Sequence, residues 1–180
     1  MSTQRRARIP LAVRREQILA AALVEFGHKG LHGGSTVAIA RDIDISHPNL
    51  FRIYPTKHEL FVAVLKHVFE RVEARMLSVG ESAEENPLDA MSDAWGVLMQ
   101  ERDLMFMILQ GYAASDDDNI RDIMREWTRE VFERVEVLPG VGEDGAHDFI
   151  AQGMFYMAAA AMDLPARGDA WAARFLASGA

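Results

Sequence analysis

The chain has 180 residues, 49% of them hydrophobic, no cysteine and a formal net charge of −8. That length and apolar content support a packed core and argue against a disordered chain, while the lack of cysteine excludes disulfides, thiolate nucleophiles and zinc–thiolate sites. The charge is uneven: residues 1–75 carry 12 Lys/Arg against 7 Asp/Glu, and residues 76–180 carry 7 against 20. Such asymmetry is expected of a protein that meets a polyanion at one end only.

In chain order, the start MSTQRRARIPLAVRR is basic like a signal peptide but has no apolar run behind it. The longest apolar run, Met154 to Met162, is too short to span a bilayer, so a soluble, cytoplasmic protein with no membrane contact is expected. Arg5, Arg6 and Arg8 form a basic arm suited to phosphates or a minor groove. A first amphipathic helix is predicted from about Leu11 to Gly27, with Ile18, Ala22 and Phe26 on one stripe and Leu19 and Leu23 beside it. Gly30 suits a left-handed C-terminal cap, with Leu31 as its apolar contact.

The stretch from Ser35 to Lys57, STVAIARDIDISHPNLFRIYPTK, reads as a helix-turn-helix. Ser35 caps a short helix whose Val37, Ile39, Ala40 and Ile43 are expected to face inward; the polar turn Asp44-Ile45-Ser46 interrupts it. Ser46 then caps a second short helix with Pro48 in its first turn, Leu50, Phe51 and Tyr54 inward, and Pro55 as its end. Two short helices across a tight turn expose the start of the second, a shape that fits a major groove. Thr56 and Glu59 form a capping box that opens a fourth helix. Its stripe of Leu60, Val64, Val68, Val72 and Met76, flanked by Phe61, Leu65 and Phe69, spans five turns and joins the N-terminal bundle to the second half of the chain.

A polar break from Val79 to Pro87 marks a boundary. The expected organisation is residues 1–56 as a DNA-binding domain with a basic arm, 57–78 as a linking helix and 79–180 as an effector-binding and dimerisation domain. Helices are predicted there at about Leu88 to Gln100, Asp103 to Ala114, Asn119 to Val137, Asp144 to Asp163 and Ala170 to Ala177. In the third of these, Ile120, Ile123, Met124, Trp127, Val131 and Val135 lie inward and Arg/Glu pairs outward. No stretch alternates as a strand does, so the fold class is all-α.

The run Arg15-x-x-Ile18-Leu19-x-Ala21-Ala22, Phe26-x-x-x-Gly30, Thr36-x-x-Ile39-Ala40, Ile45-Ser46, then Leu50-Phe51-x-x-Tyr54-x-x-Lys57-x-Glu59-Leu60 resembles the N-terminal domain of TetR-type transcriptional regulators. The likeness covers about Arg14 to Leu65. It implies that Thr36 and Lys57 touch phosphates at helix N-termini, that His47, Pro48 and Asn49 face base edges, that Arg52 reaches the backbone, and that Ser46 and Phe51 belong to the same surface. Two departures stand out. Ile43-Asp44 replaces the usual Ala-Gly of the turn, and Phe51 and Tyr54 exchange the usual Tyr and Phe, so Phe51 has no hydroxyl for a phosphate. Asp44 tolerates the left-handed conformation at roughly 1 kcal/mol or less relative to Gly.

In the second half, Trp95 and Met99, Met105 and Phe106, and Met124 and Trp127 suit either plain core or the wall of a ligand cavity between helices, since methionine adapts to varied apolar guests. The resemblance implies such a cavity. Its few polar groups point to a sizeable apolar or aromatic effector. The helix at Asp144 to Asp163 is apolar all round after Gln152, so a partner is expected to cover one side. That partner is expected to be a second copy, in a homodimer through Phe149, Gly153, Tyr156, Met157, Ala160, Ala161, Trp171 and Phe175.

Other signals fade on inspection. Gly140-Val-Gly142-Glu-Asp-Gly145 follows a helix instead of a strand and carries two carboxylates, so a flexible loop is expected where the pattern alone suggests a nucleotide site. His28 and His32 are expected in a turn, and Asp116-Asp117-Asp118 as an acidic lead-in to a helix; no metal and no cofactor is implied. The sequence thus predicts a dimeric, effector-responsive DNA-binding regulator, most simply a repressor. The alternative is a small helical enzyme or ligand carrier with a vestigial motif. No nucleophile, base and orienting group fall in plausible proximity for it.

Overall fold

In a computed structural model of the protein, the described residues are 9–166 and 168–177. The Arg5, Arg6 and Arg8 arm lies outside them. Among the described residues the regular structure is all helical: α1 (Leu11–Gly33), α2 (Thr36–Asp42), α3 (His47–Phe51), α4 (Lys57–Val72), a π-helical segment (Glu73–Leu77), α5 (Ser78–Ser82), α6 (Pro87–Leu98), α7 (Arg102–Ala113), α8 (Asp118–Glu136), α9 (Gly142–Ala161), a 3₁₀ turn (Leu164–Ala166) and α10 (Ala170–Ala177). None is long and apolar enough to cross a membrane.

Helix α1 runs one turn and a half past its expected end, with a break inside it. Gly30 has φ +69° and ψ −178°, so the positive φ expected there is present, but the chain re-enters a helical turn instead of stopping. A side chain at Gly30 would also meet Gln110 Oε1 of α7 at 2.6 Å. Gly34 allows the return toward the bundle: a Cβ there would lie 2.5 Å from the Phe26 ring.

The two predicted stripes form the core. Ile18, Ala22 and Phe26 of α1 and Leu60, Phe61, Val64, Leu65, Val68 and Val72 of α4 are fully buried, and the Phe26 and Phe61 rings meet edge to face at 5.2 Å. One contiguous cluster of buried side chains continues from Ile18 to Met157, so α4 contributes to the core of both halves. The most extensive helix–helix contact is α1 on α7.

Two ionic clusters join α4 and its extension to the second half. Glu101, before α7, pairs with Arg71 and with Arg75 at 2.6 Å. Arg134 of α8 reaches Glu73 and Glu81, each at 2.7 Å. The hydrogen bond from Arg134 lowers the Glu81 pKa against the effect of burial. Two histidine–aspartate contacts cross from the N-terminal helices: His28 to Asp103 at 2.9 Å and His58 to Asp117 at 3.1 Å.

The glycine-rich Gly140–Gly145 stretch corrects one expectation. Gly140 and Gly142 have positive φ as in a loop, but Gly142 to Gly145 already form the first turn of α9. His28 likewise sits within α1 and not in a turn. Asp117 caps α8 by accepting from the Ile120 N–H at 3.0 Å, as an acidic lead-in should.

Candidate DNA-reading surface and effector cavity

The turn between α2 and α3 is built by backbone hydrogen bonds. Asp44 N–H donates to Arg41 O at 3.2 Å and Ile45 N–H to Ala40 O at 3.0 Å, the 5→2 and 6→1 pair of a Schellman motif. Asp44 holds its left-handed position at φ 51°. From α1, Arg14 Nη1 donates to the Ile43 carbonyl at 3.3 Å. The helix before the turn is capped as expected, Ser35 Oγ accepting from Ala38 N–H at 3.2 Å, and Glu25 accepts from Ser35 N–H at 2.8 Å. For Glu25, burial favours the neutral acid, yet the hydrogen bonds from Lys29 and Ser35 together outweigh it and lower its pKa.

Three local expectations need correction. Val37 is 58% exposed: it stands two residues, and so more than half a turn, from Ile39, while Ile39 and Ala40 are buried and Ile43 half-buried on the opposite face. Ser46 occupies the N-cap position of α3 with no side-chain cap bond; its carbonyl accepts from Asn49 and Leu50 N–H instead. Finally, α3 ends at Phe51, before Pro55, which leaves Tyr54 beyond the helix but half-buried against the core.

The surface that results has Ser46, Pro48, Asn49 and Arg52 exposed. His47 is half-buried, its Nε2 2.8 Å from Thr36 Oγ1 and its ring 4.6 Å from that of Phe51. Thr36 and Phe51 therefore both hold His47, one by its nitrogen and one by a T-shaped ring contact. Lys57 donates from Nζ to the carbonyls of His32 at 3.0 Å and Gly34 at 3.3 Å, tying the start of α4 to the end of α1. With three ammonium protons, it keeps one for another acceptor.

Beneath α4 lies an apolar cavity of about 60 Å³. Its wall takes Val72 of α4 and Met76 of the π segment, Trp95 of α6, Ile108 and Tyr112 of α7, Trp127 and Val131 of α8, and Phe149, Gly153 and Met157 of α9. Of the residues expected to line such a cavity, Trp95 and Trp127 do. Met105 is fully buried in the core, and Phe106 turns to His28 of α1 at 5.2 Å, because α7 spends that face on α1. Met99 lies in grooves beside Tyr156, and Met124 lines a larger groove between α8 and α9.

The same cavity takes up part of the expected dimer face. Phe149, Gly153 and Met157 point into their own domain, where Gly153 O accepts from Trp95 Nε1 at 3.4 Å. Tyr156 donates its hydroxyl to Leu176 O at 3.3 Å. Ala160 and Ala161 are half-buried, and Ala161 O accepts from Arg102. Of the apolar residues on α9 and beyond it, Met154, Met162, Trp171 and Phe175 are the most outward, exposed by 44%, 58%, 52% and 45%.

An exposed helix start, set by a tight turn on a rigid three-helix base, defines a helix-turn-helix DNA-binding protein. Residues 18–64 match the family described as bacterial regulatory proteins, tetR family. That match covers the helix-turn-helix and the helices packed on it, and residues 65–180 lie outside it. Solved structures share its fold. A TetR-like transcriptional regulator from Rhodococcus sp. RHA1 aligns with TM-score 0.70 at 23% identity over 87% of this chain and 88% of that one. A second transcriptional regulator from Rhodococcus sp. Rha1 gives 0.66 at 18% over 85% and 84%, and one of the TerR/AcrR family from Aquifex aeolicus VF5 gives 0.62 at 17% over 79% and 84%. No curated protein sequence matches the chain.

Proposed function

We propose that this regulator is a repressor acting in the cytoplasm as a homodimer, released from a palindromic operator by a small hydrophobic effector. The observation that carries the reading is the cavity wall: Val72 and Met76 belong to the continuous helical rod that begins with Lys57 and His58 beside the DNA-reading turn. A guest that packs better in one placement of that rod than in another shifts DNA affinity by its differential binding, and a tenfold shift requires about 1.4 kcal/mol. In this reading Asn49 and His47 meet base edges beside Pro48, while Thr36, Ser46, Arg52 and Lys57 meet phosphates. Phe51 braces His47. The exposed Met162, Trp171 and Phe175 supply the contact between protomers, which places two reading helices on half-sites about one helical turn apart.

A band shift with DNA upstream of the protein's own gene tests this, run with and without a panel of lipophilic compounds. A shifted band that a lipophilic compound dissolves is expected; a band unaffected by every lipophile but released by a charged metabolite would sink the effector reading. Phe175→Glu places a charge in the proposed contact and should yield monomers in sedimentation. A parent chain that already sediments as a monomer at micromolar concentration would refute the dimer.

A further inference from the structure

We infer that His47 is a positioning residue for every DNA sequence the protein meets: its Nε2–H donates to Thr36 Oγ1 and so turns the one hydroxyl proton of Thr36 onto a DNA phosphate. The inference rests on the proposed contact of Thr36 with a phosphate and adds the residue that aims the proton for it. Thr36 Oγ1 and His47 Nε2 are 2.8 Å apart across eleven residues of chain, so the bond crosses the turn from α2 to α3. At that distance the two atoms share one proton, and either could supply it.

What Thr36 does next decides which. A hydroxyl has one proton to give, whereas a phosphodiester oxygen can only accept. If Thr36 gave its proton to His47, it would turn lone pairs on the phosphate and the contact would be repulsive. For Thr36 to donate to DNA, the imidazole must donate to Thr36, so Nε2 carries a proton whether the ring is neutral or charged. Two donors then act in series, Nε2–H to Oγ1–H to phosphate, each bond polarising the next. The bond uses Nε2 and leaves Nδ1 for the base edge that the proposed function gives His47.

The neighbours leave this route open. The cap of α2 is made by Ser35 Oγ, which accepts from Ala38 N–H, so the Thr36 hydroxyl is not spent on it. Phe51 meets the imidazole at 4.6 Å with 75° between ring planes and fixes the ring from a second side. Having no hydroxyl, Phe51 competes neither for Nε2 nor for the phosphate. Both Thr36 and His47 keep part of their surface open to solvent. A bond that only tied α2 to α3 would serve with either atom donating, so the direction of the proton separates the two roles.

Fluorescence anisotropy of the full chain with a random-sequence duplex tests the inference, because such DNA registers phosphate contacts and not base reading. Thr36→Val should weaken binding about three- to tenfold, the range of one net hydrogen bond. His47→Leu, which cannot donate, should weaken binding in the otherwise unmodified chain and add nothing further in Thr36→Val. His47→Gln, whose amide can donate in the same direction, should restore most of that loss. In a chain labelled with ¹⁵N-histidine, the His47 ring of the DNA complex should carry a proton at Nε2, which decides the matter even if a variant does not fold. A ring protonated only at Nδ1 in the complex, a His47→Leu loss that persists undiminished in Thr36→Val, or a loss that Gln does not restore would each overturn the inference and leave the Thr36 contact standing. Thr36→Val binding the duplex as tightly as the parent would overturn that contact as well.

Discussion

The two ends of the helix α4 rod are packed on different principles. Around its start, Phe26, Leu50, Leu60 and Phe61 are fully buried, Ser35, Thr36 and His47 have hydrogen-bond partners within the motif, and Lys57 has its partners at the end of α1. Around its far end, five helices leave a small apolar void, an open groove beside it and an indole N–H without an acceptor. The reading end must present a few side chains at fixed positions, so rigidity serves it. On the proposed function the other end must admit a guest, and the void and the groove beside it leave room for one.

The sharpest way to break this contrast is to make the same truncation at both ends. Phe26→Ala should cost about 3–5 kcal/mol in chemical denaturation, because a tightly packed site cannot collapse around the loss. Phe149→Ala, at the wall of an existing void, should cost less than half as much. Equal losses would mean that the second half is packed as densely as the first.

Next in size, Asn49→Ala should remove roughly 1–3 kcal/mol of preference for operator over random DNA, with folding unchanged. Titration against both DNAs checks it, and unchanged affinity for each would take α3 out of the reading role. Lys57→Ala should weaken binding to every sequence and flatten the salt dependence by about one unit. Because Lys57 also bonds the carbonyls of His32 and Gly34, the variant should melt at a lower temperature. A lower melting temperature with an unchanged salt slope would confine Lys57 to the end of α1.

The smallest effect concerns acid. Hydrogen bonds from Arg134 hold Glu81 below its ordinary value of 4.5. A lowered folded pKa contributes stability that is present above the unfolded value and lost as pH falls through the folded one. Glu81→Gln should therefore lower the melting temperature slightly at pH 7 and make its decline below about pH 4.5 shallower. A parallel decline in parent and variant would show that this pair does not tie α5 to α8.

How much can be read from residues alone divides along the same line. The stripes of α1 and α4, the caps at Ser35 and Thr56, the acidic lead-in to α8 and the left-handed Asp44 are all legible, because each depends on a few neighbouring residues and on backbone chemistry. Val37 is misplaced by its pattern, since a helix of two turns is too short to fix its inward face. In the second half, Phe149, Gly153 and Met157 are indistinguishable from Trp171 and Phe175: a helix apolar on all sides carries no mark of which side meets a cavity and which meets solvent or a partner. Met105 and Phe106 mislead for a related reason. Nothing local shows that α7 turns that face to α1.

The π-helical segment at Glu73–Leu77 amounts to one residue more than a straight α-helix needs over the same turn. Five apolar positions spaced four apart, from Leu60 to Met76, drift around a regular helix, and the wider turn takes up part of that drift, so that Met76 and Leu77 remain buried, 5% and 3% exposed. The chain between the DNA-reading end and α5 is thus overlong by one unit. Deleting a single residue there would restore regular winding and leave the downstream helix close to its present phase, whereas a deletion in the regular part of α4 would rotate everything downstream by about 100° about the rod. The wide turn thus holds a surplus residue that the angular phase between the two ends of the rod does not register.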